Sequence, residues 1–209
     1  MRNLLVTDSL STTDQVLRDA ALEAHALADD HPALAPVAAK LDGVRQGLAA
    51  ARERDEQAQS KVRVWTRRVK RRDKAVKKAA VKVHEALKPQ ADEAGVAEVL
   101  RLAYPVSATE GTRGLAEETQ SNFVKNIITR VRSAQDMPAK AVQRVDELQS
   151  ALTRLEEAVT SRATARGEAV QTSAAVETAA ALARTTHGEA YFEVGNHVGK
   201  AVAEEVFAR

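Results

Sequence analysis

The chain has 209 residues and no cysteine, which excludes disulfides, thiolate chemistry and cysteine-ligated metal centres. Its 31 Lys and Arg nearly balance 29 Asp and Glu, and 44% of its residues are apolar, enough to bury a core. Only six residues are aromatic and about a fifth are alanine, so helices form readily but must approach closely to bury sufficient area.

After Arg2 only three apolar residues precede Thr7, short of the ~7–15 of a signal peptide, and nothing approaches the ~18 of a membrane span. A soluble, cytoplasmic setting is expected, with residues 1–10 as a flexible terminus. No segment alternates in the strand period of two, so helices are expected throughout. The first spans about Ser11 to Asp29, with Ser11 and Asp14 as a capping pair and Val16, Leu17, Ala20, Ala21, Ala24, Leu27 and Ala28 on one face. Asp30-His31-Pro32 ends it, because a proline pushes the preceding residue away from helical geometry.

From Val37 to Ala86, positions spaced alternately four and three apart form a seam of fifteen, interrupted only by Asp55 and Arg72. Such a heptad pattern packs one helix along its whole length against a neighbour. A helix from Pro36 to Lys88 would be roughly 80 Å long at 1.5 Å per residue. Pro89 opens a short helix with Val96, Val99, Leu100 and Ala103 that ends at Tyr104-Pro105. Residues 107–114 read as a loop or a new helix start. A further helix, about Leu115 to Ser133, places Phe123, Val124, Ile127, Ile128 and Val131 together.

Asp136 is expected to cap the next helix, with Pro138 tolerated in its first turn. A second long seam follows from Val145 through Leu148, Leu152, Leu155 and Val159 to Val176, Ala180 and Ala183. Arg162, Arg166 and Ser173 weaken it. His187-Gly188 suggests a kink before a last segment, Glu189 to Ala208. The expected fold is therefore all-α: an elongated up-and-down helical bundle with two very long coiled-coil-like helices, residues 1–209 forming one domain.

Catalytic constellations are missing from the pattern. No Glu-x-x-His pair, nucleophile elbow or phosphate loop occurs, and Glu193 with His197 is an isolated pair. The expectation is a non-enzymatic chain with no cofactor, no metal and no catalytic residues.

The strongest anomaly is residues 61–82, with eleven Lys or Arg against Asp73 alone, net +10 in a chain of net +2. Arg63, Arg67, Arg68, Lys70, Arg71, Lys74, Lys77 and Lys78 are candidate anion- or nucleic-acid-binding residues, since clustered like charge attracts phosphates. The competing reading is a solvated face neutralised by Asp92, Glu93, Glu98, Glu117 and Glu118 on the returning helices. The second anomaly is the C-terminal segment. Tyr191, Val194, Val198 and Val202 lie near one face, with Gly195 and Gly199 one turn apart, a candidate self-association surface or a face packed on the chain's own bundle.

The first expectation is a non-enzymatic helical-bundle structural or protein-interaction module that self-associates, as a homo-oligomer or with a protein partner. The alternative is a sequence-nonspecific nucleic-acid-binding protein using the basic helix 61–82. A third reading is a membrane-active helical protein, its partner an anionic membrane surface.

Overall fold

The computed structural model describes residues 9–104 and 117–207, except the side chains of residues 117–120. The described residues form a helical bundle with no strand. In chain order the helices are α1 (Leu10–Ala26), α2 (Leu34–Leu87), α3 (Ala94–Ala103), α4 (Glu117–Ser133), α5 (Ala139–His197) and α6 (Lys200–Val206). A 3-10 turn, Lys88–Gln90, follows α2 and holds Pro89 in its first turn. The expected loop or helix start over residues 107–114 lies outside the described residues.

Helices α2 and α5 have 54 and 59 residues and pack against each other. The α2 seam explains how so long a helix holds. All fifteen of its positions are buried or half-buried, and Val37, Leu41, Leu48, Val69, Val76 and Val83 are almost wholly so. Burial of that stripe, rather than helix propensity, stabilises a helix of this length. Its two polar positions meet matching groups on α5. Asp55 accepts hydrogen bonds from the hydroxyls of Thr172 and Ser173, both at 2.8 Å. Arg72 donates to the Arg154 carbonyl and lies 3.6 Å from the Glu157 carboxylate.

The chain divides into two compact units, Met1–Lys61 with Arg166–Arg209, and Val62–Ala165. In the first, α1, the beginning of α2, the end of α5 and α6 surround Leu17, Leu34, Leu41, Leu48, Val194 and Phe207. Eight buried alanines, among them Ala24, Ala38, Ala183 and Ala190, complete that core and permit close helix approach. In the second, the rest of α2 packs with α3, α4 and the beginning of α5 around Val76, Val83, Leu87, Ile127, Leu148 and Leu152. Tyr104 closes that core. Its hydroxyl donates to the Ala80 carbonyl at 3.0 Å, and its ring meets His84 and Phe123 edge to face. Burial pushes the Tyr104 phenol well above its usual value.

Several boundaries differ from the sequence expectation. Ser9, not Ser11, caps α1, its hydroxyl accepting from the Thr12 amide at 3.1 Å. Asp136 does not cap α5. It takes a left-handed conformation with φ 57°, and the Pro138 carbonyl instead accepts the first helical amides, from Ala141 and Val142. No break occurs at His187-Gly188, where α5 runs on to His197. The chain breaks at Gly199, whose φ of 108° suits glycine and turns α6 back onto α1 and α5. On α5, Ala165 rather than Arg166 faces inward, so the seam steps by three residues there and Arg166 stays exposed.

Candidate functional site

The basic stretch lies on one uninterrupted segment of α2, where no proline or glycine occurs between Gly47 and Leu87. At 100° per residue, the seam positions Val62, Trp65, Val69, Arg72, Val76 and Ala79 occupy one side. Arg63, Arg67, Lys70, Arg71, Lys74 and Lys78 fall within an arc of about 100° centred on the opposite side. All six are exposed. They form two parallel rows, Arg63-Arg67-Arg71 and Lys70-Lys74-Lys78. Each row steps four residues, or about 6 Å, and the whole stripe is about 22 Å long.

None of the six has a carboxylate of a described residue within ion-pair distance, and of the other five cations Arg68 and Lys82 likewise form no ion pair. The remaining three are engaged at the edges. Lys61 meets Glu168 at 3.1 Å, Arg72 meets Glu157, and Lys77 meets Asp73 at 2.9 Å. Lys82 adds a minor share to the lowering of the Glu147 carboxyl, which is due first to the hydrogen bond from Arg144. Arg68 stacks over the Trp65 ring, its guanidinium carbon 4.6 Å from the ring centre. Of the acids expected to neutralise the stretch, Asp92, Glu93 and Glu98 are exposed and form no ion pair with it. The Glu117 and Glu118 side chains lie outside the described residues.

Trp65 is half-buried and packs against the second unit's core. It serves as a partial core anchor whose outer side is covered by Arg68. No aromatic side chain of this unit therefore joins the cationic stripe, since Tyr104 and Phe123 are also drawn into the core.

The C-terminal candidates lie on the chain's own core. Val194 is buried, and Tyr191, Val198 and Val202 are half-buried against the first unit's apolar cluster. They do not share one continuous helix, because the turn at Gly199 separates Val202 from the rest. The small residues serve that fold-back: a Cβ on Gly195 would stand 3.9 Å from the Ala203 Cβ. Phe207 inserts edge to face between His187 and Tyr191, with ring centres 5.1 and 5.8 Å away.

The isolated pair Glu193 and His197 does not assemble a site. Glu193 lies 3.8 Å from Lys40 on α2, and His197 is exposed at the end of α5. Among the described residues no group of three His, Asp or Glu is placed to hold a metal ion. His187 escaped sequence analysis as a core residue. It is 2% exposed, its Nε2 has no hydrogen-bond partner, and burial pushes its imidazole below the usual value.

Two clefts of about 530 and 460 Å³ open on the second unit. The larger has Val96, Val99 and Met137 in its wall beside Glu93, Glu98 and Asp136, and the smaller lies along Leu152, Leu155 and Val159. Neither is lined by a residue of the cationic stripe. Comparison of the chain with known protein families, curated proteins and solved structures finds no match.

Proposed function

We propose that this chain is a non-enzymatic helical-bundle interaction module whose working surface is the cationic face of α2, and that this face binds nucleic-acid phosphates without sequence preference. The observation that carries the reading is the arrangement of Arg63, Arg67, Lys70, Arg71, Lys74 and Lys78. They are exposed together opposite the packing seam, and no described carboxylate neutralises them.

That arrangement has a cost which the fold does not require. Like charges four residues apart destabilise a helix by about 0.2–0.5 kcal/mol per pair. Arg63–Arg67, Arg67–Arg71, Lys70–Lys74 and Lys74–Lys78 are four such pairs. Packing of the seam needs none of them, because all six side chains point away from it. A local penalty that brings no benefit to the core is the kind of departure expected at a functional surface. An array of this kind neutralises phosphates and releases their counterions. It offers no groups arranged to read base edges, so the binding is indifferent to sequence.

The test is a gel shift of mixed-sequence nucleic acid at about 50 and 200 mM salt, with anionic liposomes in parallel. The expected result is binding at low salt, steep weakening at high salt, and loss of about 100-fold in the variant carrying Gln at all six positions. Circular dichroism of that variant should keep the helical signal and show a melt at or above that of the parent, since the like-charge pairs are removed. Absence of nucleic-acid binding at low salt ends the reading. Binding to liposomes alone transfers the surface to a membrane.

A further inference from the structure

Resting on the reading of α2 as a phosphate-binding face, we infer that the partner is double-stranded rather than single-stranded nucleic acid, held along its phosphate backbone. Three features of the face select the duplex.

The first is shape. The cations project from the outer surface of a regular helix, opposite its seam, so the face is convex and held straight by the packing behind it. Proteins that hold single strands combine a cationic groove with aromatic side chains on which successive bases stack. The two clefts described on this unit lie away from the face, the larger bearing Glu93, Glu98 and Asp136, which repel phosphates. A duplex keeps its phosphates on the outside of a stiff rod and meets a convex, straight cation array without rearrangement.

The second is the missing stacking platform. The unit's three aromatic side chains, Trp65, Tyr104 and Phe123, all pack on the core, and the Trp65 ring is additionally covered by Arg68. A single strand would therefore lose the ~1–3 kcal/mol per base that stacking supplies to its usual binders. Only phosphate contacts remain, and those a duplex also provides.

The third is charge density. A duplex carries one negative charge per about 1.7 Å of axis, and each neutralised phosphate contributes about −0.9 to the slope of log affinity against log salt, compared with about −0.7 on a single strand. The same six cations thus release more counterions from a duplex. With all six engaged the slope is about −5 on a duplex and about −4 on a single strand.

The experiment is fluorescence anisotropy with the full chain and four probes of equal label: a 30-base-pair DNA duplex, one of its strands alone, an RNA duplex of the same sequence, and phosphatidylserine vesicles. The expected result is at least tenfold tighter binding to the DNA duplex than to its single strand at 50 mM salt, and a duplex slope near −5. The RNA arm assigns the duplex type, and tighter binding to either duplex than to the strand supports the inference. Replacing one row, R63Q/R67Q/R71Q, should reduce the magnitude of the slope by about 3 while leaving the other row engaged. Equal or tighter binding to the single strand overturns the duplex inference and leaves the phosphate-binding reading intact. Binding to no nucleic acid, or to vesicles alone, overturns both. A slope unchanged in the three-site variant places the contact elsewhere on the chain and also overturns the inference.

Discussion

The first unit buries Leu17, Leu41 and Leu48 among close-packed alanines, while the second buries Val83, Ile127 and Leu148 beneath Tyr104. Both cores are continuous apolar clusters drawn from α2, α5 and two shorter helices. Their surfaces differ in sign. Over the bounds of the first unit the sequence carries 11 Lys and Arg against 16 acids, net −5; over the second it carries 20 against 13, net +7. Core packing of one kind has thus been combined with opposite charge outside. Heptad packing constrains the seam, and positions on the far side of the helix are free to carry either sign. The charge difference is therefore a property of the surface, and it points to what each surface meets rather than to how either unit folds.

If the cores are equivalent, equal damage should have equal cost. Leu41→Ala in the first unit and Leu148→Ala in the second remove side chains with no exposure, and each should cost about 2–5 kcal/mol in urea denaturation. A loss below about 1 kcal/mol at either site would show that one core relaxes around the cavity, and the comparison would fail.

A smaller effect should separate the units by pH. His187 is buried beside Phe207 in the first unit, with Asp19 and Glu23 of α1 and Glu205 of α6 lining a narrow cavity next to it. On α2, Asp42 and Arg45 at this level pair with each other. Burial holds the folded imidazole pKa below its ordinary value of 6.5. The unfolded chain therefore binds the proton first as pH falls. The contribution of neutral His187 is complete above pH 6.5 and is lost progressively below it, until the lowered folded pKa is passed. The urea midpoint should drop between pH 7.5 and 5.5, and His187→Leu should flatten that drop. An equal drop in the variant would assign the pH response to other groups.

The smallest effect concerns Asp55. Hydrogen bonds from Ser173, then Thr172, hold its carboxyl below its ordinary 3.8. Its contribution is therefore present above pH 3.8 and lost as pH falls through the lowered folded value. Asp55→Ala should lower the urea midpoint at pH 7 and approach the parent in strong acid. A constant difference between parent and variant at every pH would mean that the carboxylate charge plays no part in the pairing.

Periodicity made the long helices legible because the same spacing that gives a seam in sequence gives a buried stripe in space. Fifteen α2 positions from Val37 to Ala86 could be named without a structure, and none is exposed. The cationic stretch was legible as a count, and the 100° arithmetic could have separated Arg63, Arg67, Lys70, Arg71, Lys74 and Lys78 from the remaining five. What the count could not provide was the partnering of Lys61 and Arg72 with acids of α5. Glu168 and Glu157 are more than eighty residues from Lys61 and Arg72, and only the antiparallel register of α5 brings them near.

The other misses share that cause. Asp55 and Arg72 looked like defects in the seam because Thr172, Ser173 and the Arg154 carbonyl are distant in sequence. His187-Gly188 suggested a kink before a last segment because glycine weakens a helix locally, yet α5 runs through it to His197, with His187 packed against Phe207. Gly199 turns the chain because a fold-back brings Ala203, Val206 and Phe207 onto the core, which local propensity cannot anticipate. By itself the sequence determined helix type, seam and the charge of the outer face, all of which depend on residues within a few turns of one another. The tertiary structure decided which cations are neutralised, which polar groups are satisfied and where α5 ends, because each depends on a neighbour that only packing supplies.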